Sequence, residues 1–335
     1  MALAEGQAAL TTNERGAAMT GWDGVTWNSW RDHDDIRARL DAGADPDVWG
    51  GGLRPLHQAA GFGSSEVVAE LTRRVSDVDA LENGTTALWE AVMENRPDNA
   101  RALVAAGADP WRPQLGGWSP GRIALAGPVP DLFPVPDGQA GLTATEQATV
   151  QRGRQLVQGL GRFPFEGTGL ACVAAIDAAE AVRRLDATPL DEEFMEDFLD
   201  DPNEYDMDEG LLIAGVTTVP GGCVVTQPWG YTPSTPGAMA RLTAGTVGYG
   251  LYANPKSGNQ GSIVRDGTVE AWDLHPGGAP LPNHTPDEVL TGYLYHHHAV
   301  AQACAFAGLR PADARAVTGP ADSWIRLPDV DYWER

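Results

Sequence analysis

Residues 43–47 read GADPD, residues 75–79 read VSDVD and residues 107–111 read GADPW. The aspartates these stretches share, Asp45, Asp77 and Asp109, stand 32 residues apart each time. A second set of landmarks keeps the same step. Gly52, Gly84 and Gly117, spaced by 32 and 33, open GLRPLHQAA, GTTALWEAV and GWSPGRIAL. Two independent landmarks with one period describe a repeated helical unit that buries its apolar face only by stacking on its neighbours.

Within each unit the local signals are helical. Pro55 stands where a first helical turn has no use for its N–H, and Leu56, Ala59 and Ala60 make an apolar stripe. Ser64 or Ser65 caps a second helix whose Val67, Val68 and Leu71 face the first. Asn83-Gly84 is a turn signal at the tip between repeats. The stretch from Thr26 to Ala44 reads as an incomplete leading repeat and 117–127 as a degenerate closing one.

On these residues the stretch from 22 to about 130 resembles an ankyrin array. The resemblance implies an α-helical solenoid in which partner contacts come from turn tips and the inner-helix surface. In this chain those positions are Leu53, Gly61 and Phe62, then Glu82, Asn83, Thr85, Met93 and Glu94, then Trp118. Phe62, Met93 and Trp118 are expected as apolar anchors ringed by carboxylates. The other reading of Phe62 and Trp118 is that they cover the neighbouring domain. His57 occupies the position that bonds from turn to turn, and Trp89 replaces it in the next repeat, which is expected to weaken the ladder there.

Pro128, Pro130, Pro134 and Pro136 make the next stretch too proline-rich for regular structure, and 131–142 is read as a linker. The organisation expected is therefore a disordered stretch over 1–20, the array over 21–130, the linker, and an α+β domain with a mostly antiparallel sheet over 143–335. Thr143 and Glu146 form a capping box, LACVAAI (170–176) reads as a buried strand, and Asp177 caps the helix AAEAVRRL. Residues 211–219, 222–227 and 246–253 read as strands, and 261–274 as a hairpin turning on Asp266-Gly267. A single long helix is expected from the Thr285-Pro286-Asp287-Glu288 start to Gly308. The stretch WGYTPSTPGAMARLTAGTVGYGLYANPKSGNQGSIVRDGTVEAWDLHP (229–276) resembles a domain of unknown function common in actinobacteria, a likeness that extends over about 168–276. It implies fold and phylogeny, and no activity.

Charge narrows the partners. The chain of 335 residues carries 46 acidic groups against 23 basic ones, a net charge of −23, and Lys256 is its one lysine. Phosphate neutralisation needs Lys and Arg, so this balance argues against nonspecific nucleic-acid binding and against docking on anionic membranes. Residues 1–20 show neither a basic start nor an apolar run, and no stretch is apolar enough to span a bilayer. Cys172, Cys223 and Cys304 are odd in number, 51 and 81 residues apart and without a C-x-x-C pair, which is not a disulfide framework, so buried free thiols and a cytoplasmic home are expected.

Candidate chemistry is sparse. His296, His297 and His298, read as consecutive on a helix, point about 100° apart and do not converge on one ion. Neither Asp201-x-Asn203-x-Tyr205 nor Asp206-x-Asp208-x-Gly210 fits a calcium loop, and neither a nucleophile elbow nor a phosphate loop occurs. No cofactor or metal is expected. The loop around Lys256 reads as an anion site or, more economically, as hairpin-turn chemistry. Residues 191–209 hold eleven carboxylates and no basic group. Thr188 is expected to cap a helix beginning at Pro189, with Phe194, Met195, Phe198 and Leu199 on one face. Glu192, Glu193, Glu196, Asp197 and Asp200 then form either a solvated face or a docking surface for a basic partner. The function expected is protein–protein recognition without catalysis, directed at a basic partner that an immunity-like acidic surface neutralises. The alternative is an enzyme that gathers His275, His284, the histidine run and the acidic stretch in the second domain.

Overall fold

The computed structural model describes residues 21–49, 53–200 and 206–334. The stretch 1–20, Gly52, and Asp201, Asn203, Glu204 and Tyr205 of the acidic run lie outside the described residues, as does the Leu199 side chain. The chain divides into two compact units between Gly141 and Leu142.

The first unit is a stack of helix pairs. A 3-10 turn at Trp27–Arg31 leads into α1 (His33–Asp41), followed by α2 (Pro55–Phe62), α3 (Ser65–Thr72), α4 (Ala87–Met93), α5 (Pro97–Ala105) and α6 (Pro120–Ala124). The inner helices α2, α4 and α6 pack in sequence, while α3 and α5 pair outside them. Alanines at 59, 60, 87, 91 and 100 are fully or nearly fully buried and allow close approach. Ser64 caps α3 through the N–H of Val67, and Thr86 and Ser119 cap α4 and α6 in the same way.

The second unit opens with α7 (Ala144–Leu160), capped by the Thr143–Glu146 box. There follow β1 (Gly169–Ala174), α8 (Ala178–Leu185), β2 (Thr188–Pro189), α9 (Glu192–Asp200), α10 (Met207–Gly210), β3 (Ile213–Val219) and β4 (Gly222–Gln227). The rest comprises α11 (Pro236–Leu242), β5 (Val247–Asn254), β6 (Gly258–Arg265), β7 (Thr268–Leu274), α12 (Pro286–Leu294), α13 (Ala299–Phe306), α14 (Arg315–Thr318) and β8 (Ser323–Arg326). The strands form one eight-stranded sheet in the order β2-β8-β3-β4-β1-β5-β6-β7, every pair antiparallel. Alternation along β1 sends Leu170 and Cys172 to a core shared with α7 and α13, and Ala171 and Val173 to one shared with α8 and α11. Asp266 and Gly267 both have positive φ, 46° and 73°, the backbone that a two-residue hairpin turn requires.

Two expectations are corrected. Thr188 and Pro189 do not start a helix; they pair with Arg326 and Ile325 as an edge strand, and Asp191 caps α9 through the N–H of Phe194. Proline's fixed φ suits a sheet edge as well as a first helical turn. The long helix expected from 286 to 307 breaks at the histidines, where His297 has a φ of 62° between α12 and α13.

Candidate functional site

The repeats are tied together by side chains at fixed positions. The N–H groups of Asp47, Asp79 and Trp111 donate to the carboxylates of Asp45, Asp77 and Asp109 at 2.9, 2.9 and 2.8 Å, closing the same turn three times. The next aspartate reaches onward: Asp47 accepts the N–H of Ser76, and Asp79 that of Asp109. Just below the tips, Glu82 accepts the N–H of Arg54 at 2.5 Å, and Gln114 accepts that of Thr86 at 2.9 Å. Gln114 also donates to the Thr86 hydroxyl at 3.0 Å. The ladder expected to weaken at Trp89 is therefore carried by the amide of Gln114. His57 bonds the carbonyl of Thr85 at 3.0 Å, and burial holds its pKa below the ordinary 6.5.

The tips differ in length. Glu82 pairs with Thr85 across Asn83 and Gly84, both with positive φ. The next tip runs from Gln114 to Trp118, one residue longer, with Gly116 and Gly117 at positive φ and the Gln114 N–H donating to the Trp118 carbonyl at 2.6 Å. That added residue is why the glycine spacing lengthens from 32 to 33 while the aspartate spacing does not.

The expected contact residues separate by exposure. Asn83 is exposed, and Leu53, Phe62, Glu82 and Glu94 are half-buried. Met93 is 6% exposed and Trp118 1%, so neither offers a free apolar anchor. Met93 ends α4, an inner helix packed between α2 and α6, and the Arg122 guanidinium lies 4.0 Å over the Trp118 ring. Thr85 is buried as well, its hydroxyl bonded to the Glu82 carbonyl and the Glu90 carboxylate. Among the described residues of this unit, the large apolar side chains left exposed are ones the repeat pattern does not single out: Trp27, its ring 4.9 Å from Phe62, Val48 and Leu81 on the turns leading to the tips, and Val135 beyond the repeats. For Val48 and Leu81 the signal in the sequence is an apolar residue one or two places beyond the D-x-D turns at 45–47 and 77–79.

On α9 the acidic residues share a face. Glu192, Glu193, Glu196, Asp197 and Asp200 are all exposed. Met195 and Phe198, on the opposite side, are buried over Ile213 with Trp229 and Trp324 packed alongside. Glu209 is set apart from this face by its ion pair with Arg326 at 2.9 Å.

The histidines lie elsewhere. His275 bonds the Asn259 carbonyl at 3.1 Å, and His284 accepts the Leu281 N–H at 3.1 Å. His296, His297 and His298 do not diverge along a helix as expected; they occupy the turn between α12 and α13. The rings of His296 and His297 stand 3.8 Å apart, and burial holds the pKa of His298 below 6.5. The run leads into α13, which packs on β5, whereas α9 packs on Ile213 of β3. With β4 and β1 between those strands, the two groups sit over strands roughly 14 Å apart at the usual spacing. The three cysteines are free and buried, and burial pushes the Cys223 thiol up to about 12. Lys256 occupies the β5–β6 hairpin turn, where its N–H donates to Asn254 at 2.9 Å.

A family model of ankyrin repeats matches residues 30–114 as three copies. This stretch is thus an ankyrin array, followed in the chain by the antiparallel α+β unit, and the array is a protein–protein interaction module. No curated protein matches the chain. No helix among the described residues is long and apolar enough to cross a membrane.

Proposed function

We propose that the chain is a non-catalytic recognition protein that binds a basic protein partner in a reducing cytoplasm and neutralises it, in the manner of an immunity protein. The ankyrin array supplies a scaffold for protein contact, through Leu53, Phe62, Glu82, Asn83 and Glu94. The observation that carries the choice of a basic partner is α9. Five carboxylates share its exposed face, while its other face is fixed on the sheet by Met195 and Phe198. Opposite charges speed encounter and make it salt-sensitive, and the net charge of −23 disfavours nucleic acid and anionic membranes. The likeness of about 168–276 to an actinobacterial domain of unknown function belongs to the same reading. The enzyme alternative has less support, because the histidine run and the acidic face lie over different strands.

The test is affinity capture from native cytoplasm at low salt and at ~0.5 M salt, where charge acts over only a few ångströms. The expected result is a basic protein retained at low salt and lost at high salt. A variant with Glu192, Glu193, Glu196, Asp197 and Asp200 changed to their amides should lose most of that salt dependence. Equal retention at both salt concentrations overturns the basic-partner reading.

A further inference from the structure

Two of the three buried thiols touch. Cys172 Sγ and Cys304 Sγ stand 3.8 Å apart, although the residues are separated by 132 positions in the chain. Cys172 lies on β1 and Cys304 on α13, and both are closed off from water, 0% and 1% exposed. Buried alanines at 299, 301, 303 and 307 stand around Cys304, so short side chains separate this helix from the sheet. Such close approach is what a disulfide requires, since cysteines whose backbones lie far apart cannot be bridged without moving them. The third thiol is kept out. β1 and β4 pair with Cys172 opposite Val224 and Val173 opposite Cys223, so alternation sends Cys223 to the other face, into the core shared with α8 and α11.

The contact with Cys304 and burial push the Cys172 thiol well above its ordinary 9.0. At neutral pH it is a protonated, shielded thiol, inert toward bulky or charged reagents. What the contact changes is the fate of a first oxidation. A small uncharged oxidant such as hydrogen peroxide converts one thiol to a sulfenic acid, with cleavage of the O–O bond and release of one water. The second sulfur, already in contact, displaces the sulfenic hydroxyl, which leaves with that thiol's proton as a second water. In sum, two S–H bonds and one O–O bond break, and one S–S bond and two O–H bonds form. The thiols together lose two electrons and the peroxide gains them. The sulfurs have only to close from 3.8 Å to about 2.05 Å.

We infer that Cys172 and Cys304 are a redox clasp, a dithiol that peroxide closes into an intramolecular disulfide tying α13 to β1 and locking the second unit. β1 is an interior strand with β4 and β5 on either side, so the bond anchors α13 in the body of the sheet. The loop it closes contains α9 and the strands β2 to β7. Cross-linking so long a loop strongly restricts the unfolded chain. The sheet that carries the acidic face of α9 then withstands conditions that unfold the reduced chain, and the thiol reductants of a cytoplasm reopen the clasp. Neither step depends on which partner α9 meets.

The test treats the full reduced chain with hydrogen peroxide, then counts free thiols with a maleimide after denaturation and maps cross-links by mass spectrometry. The expected result is the loss of two of the three thiols, a fall in intact mass by two hydrogens and a single cross-link joining Cys172 to Cys304, all reversed by dithiothreitol. The thermal midpoint of the oxidised second unit should rise by about 5–15 °C. Cys223→Ala should react and shift as the parent does, whereas Cys172→Ala and Cys304→Ala should show no rise. The cross-link map of the parent chain decides the matter even where these buried variants fold poorly. The clasp is overturned by three thiols still free after peroxide, both in buffer and in urea just below the unfolding transition. Cross-links through Cys223 or between chains, oxidation to separate sulfinic or sulfonic acids, or a disulfide that leaves the midpoint unchanged overturn it as well.

Discussion

Asp79 shares one backbone N–H, that of Asp109, between its two carboxylate oxygens, at 3.2 and 3.1 Å. Burial pushes this carboxyl above its ordinary 3.8 and the Asp109 N–H pulls it back, while the charges of Asp109 and Asp77 push it up again. A carboxyl raised in the folded state contributes stability below its unfolded pKa and loses it as pH rises through the folded value. Asp79→Asn keeps an acceptor and removes the charge. Its unfolding free energy at pH 7, read in urea, should equal or exceed the parent's, by no more than about 0.5 kcal/mol after solvent screening. The advantage should disappear below about pH 4. A clear loss of stability at pH 7 would show that the charge itself holds the turn.

His57 gives the opposite pH signature. Its pKa is depressed by burial, so the neutral ring bonded to Thr85 contributes stability above the unfolded value of 6.5 and loses it as pH falls. Thermal unfolding of the array should therefore weaken between about pH 7 and 5, and His57→Gln should flatten that dependence. His57→Ala leaves the Thr85 carbonyl without this donor and should cost about 1–3 kcal/mol at pH 7.

In the second unit Gln227 joins three segments. Its fully buried amide donates to the carbonyls of Leu211 and Ile213, both at 2.9 Å, and accepts from Thr232. Gln227→Leu preserves volume and strands these groups, so a loss of about 3 kcal/mol or more is expected in urea unfolding. The Thr232 amide should lose its protection from hydrogen exchange. A loss below about 1 kcal/mol would mean that water replaces the side chain.

The ladder below the tips makes a contrast between two kinds of change. Glu82→Ala and Gln114→Ala should each destabilise the array by about 1–2 kcal/mol. One glycine inserted between Asn83 and Gly84 should cost less than about 1 kcal/mol, because closure entropy grows slowly with loop length. Denaturant midpoints of the three variants decide the order.

Much of this was legible because its determinants are local. Thr143 with Glu146, Asp177, Thr285 with Glu288, and Asp266-Gly267 each announce an element within a few residues, and each stands where it reads. The aspartate period is equally visible, since each copy makes its turn with its own residues. What the sequence concealed depends on distant partners. Thr188 and Pro189 are a strand only because Ile325 and Arg326, more than a hundred residues away, lie beside them. The burial of Met93 and Trp118 is likewise a property of the packed fold. His297 breaks a run whose flanks both read as helix.

Gln114 and Glu82 each reach back 28 residues to a backbone N–H, although the tip that follows Gln114 is one residue longer. The register of the stack is set beneath the tips and is indifferent to what is hung above it. Each tip is thus an interchangeable cassette. Its length and side chains can drift under selection for a new partner while the frame that presents them stays untouched.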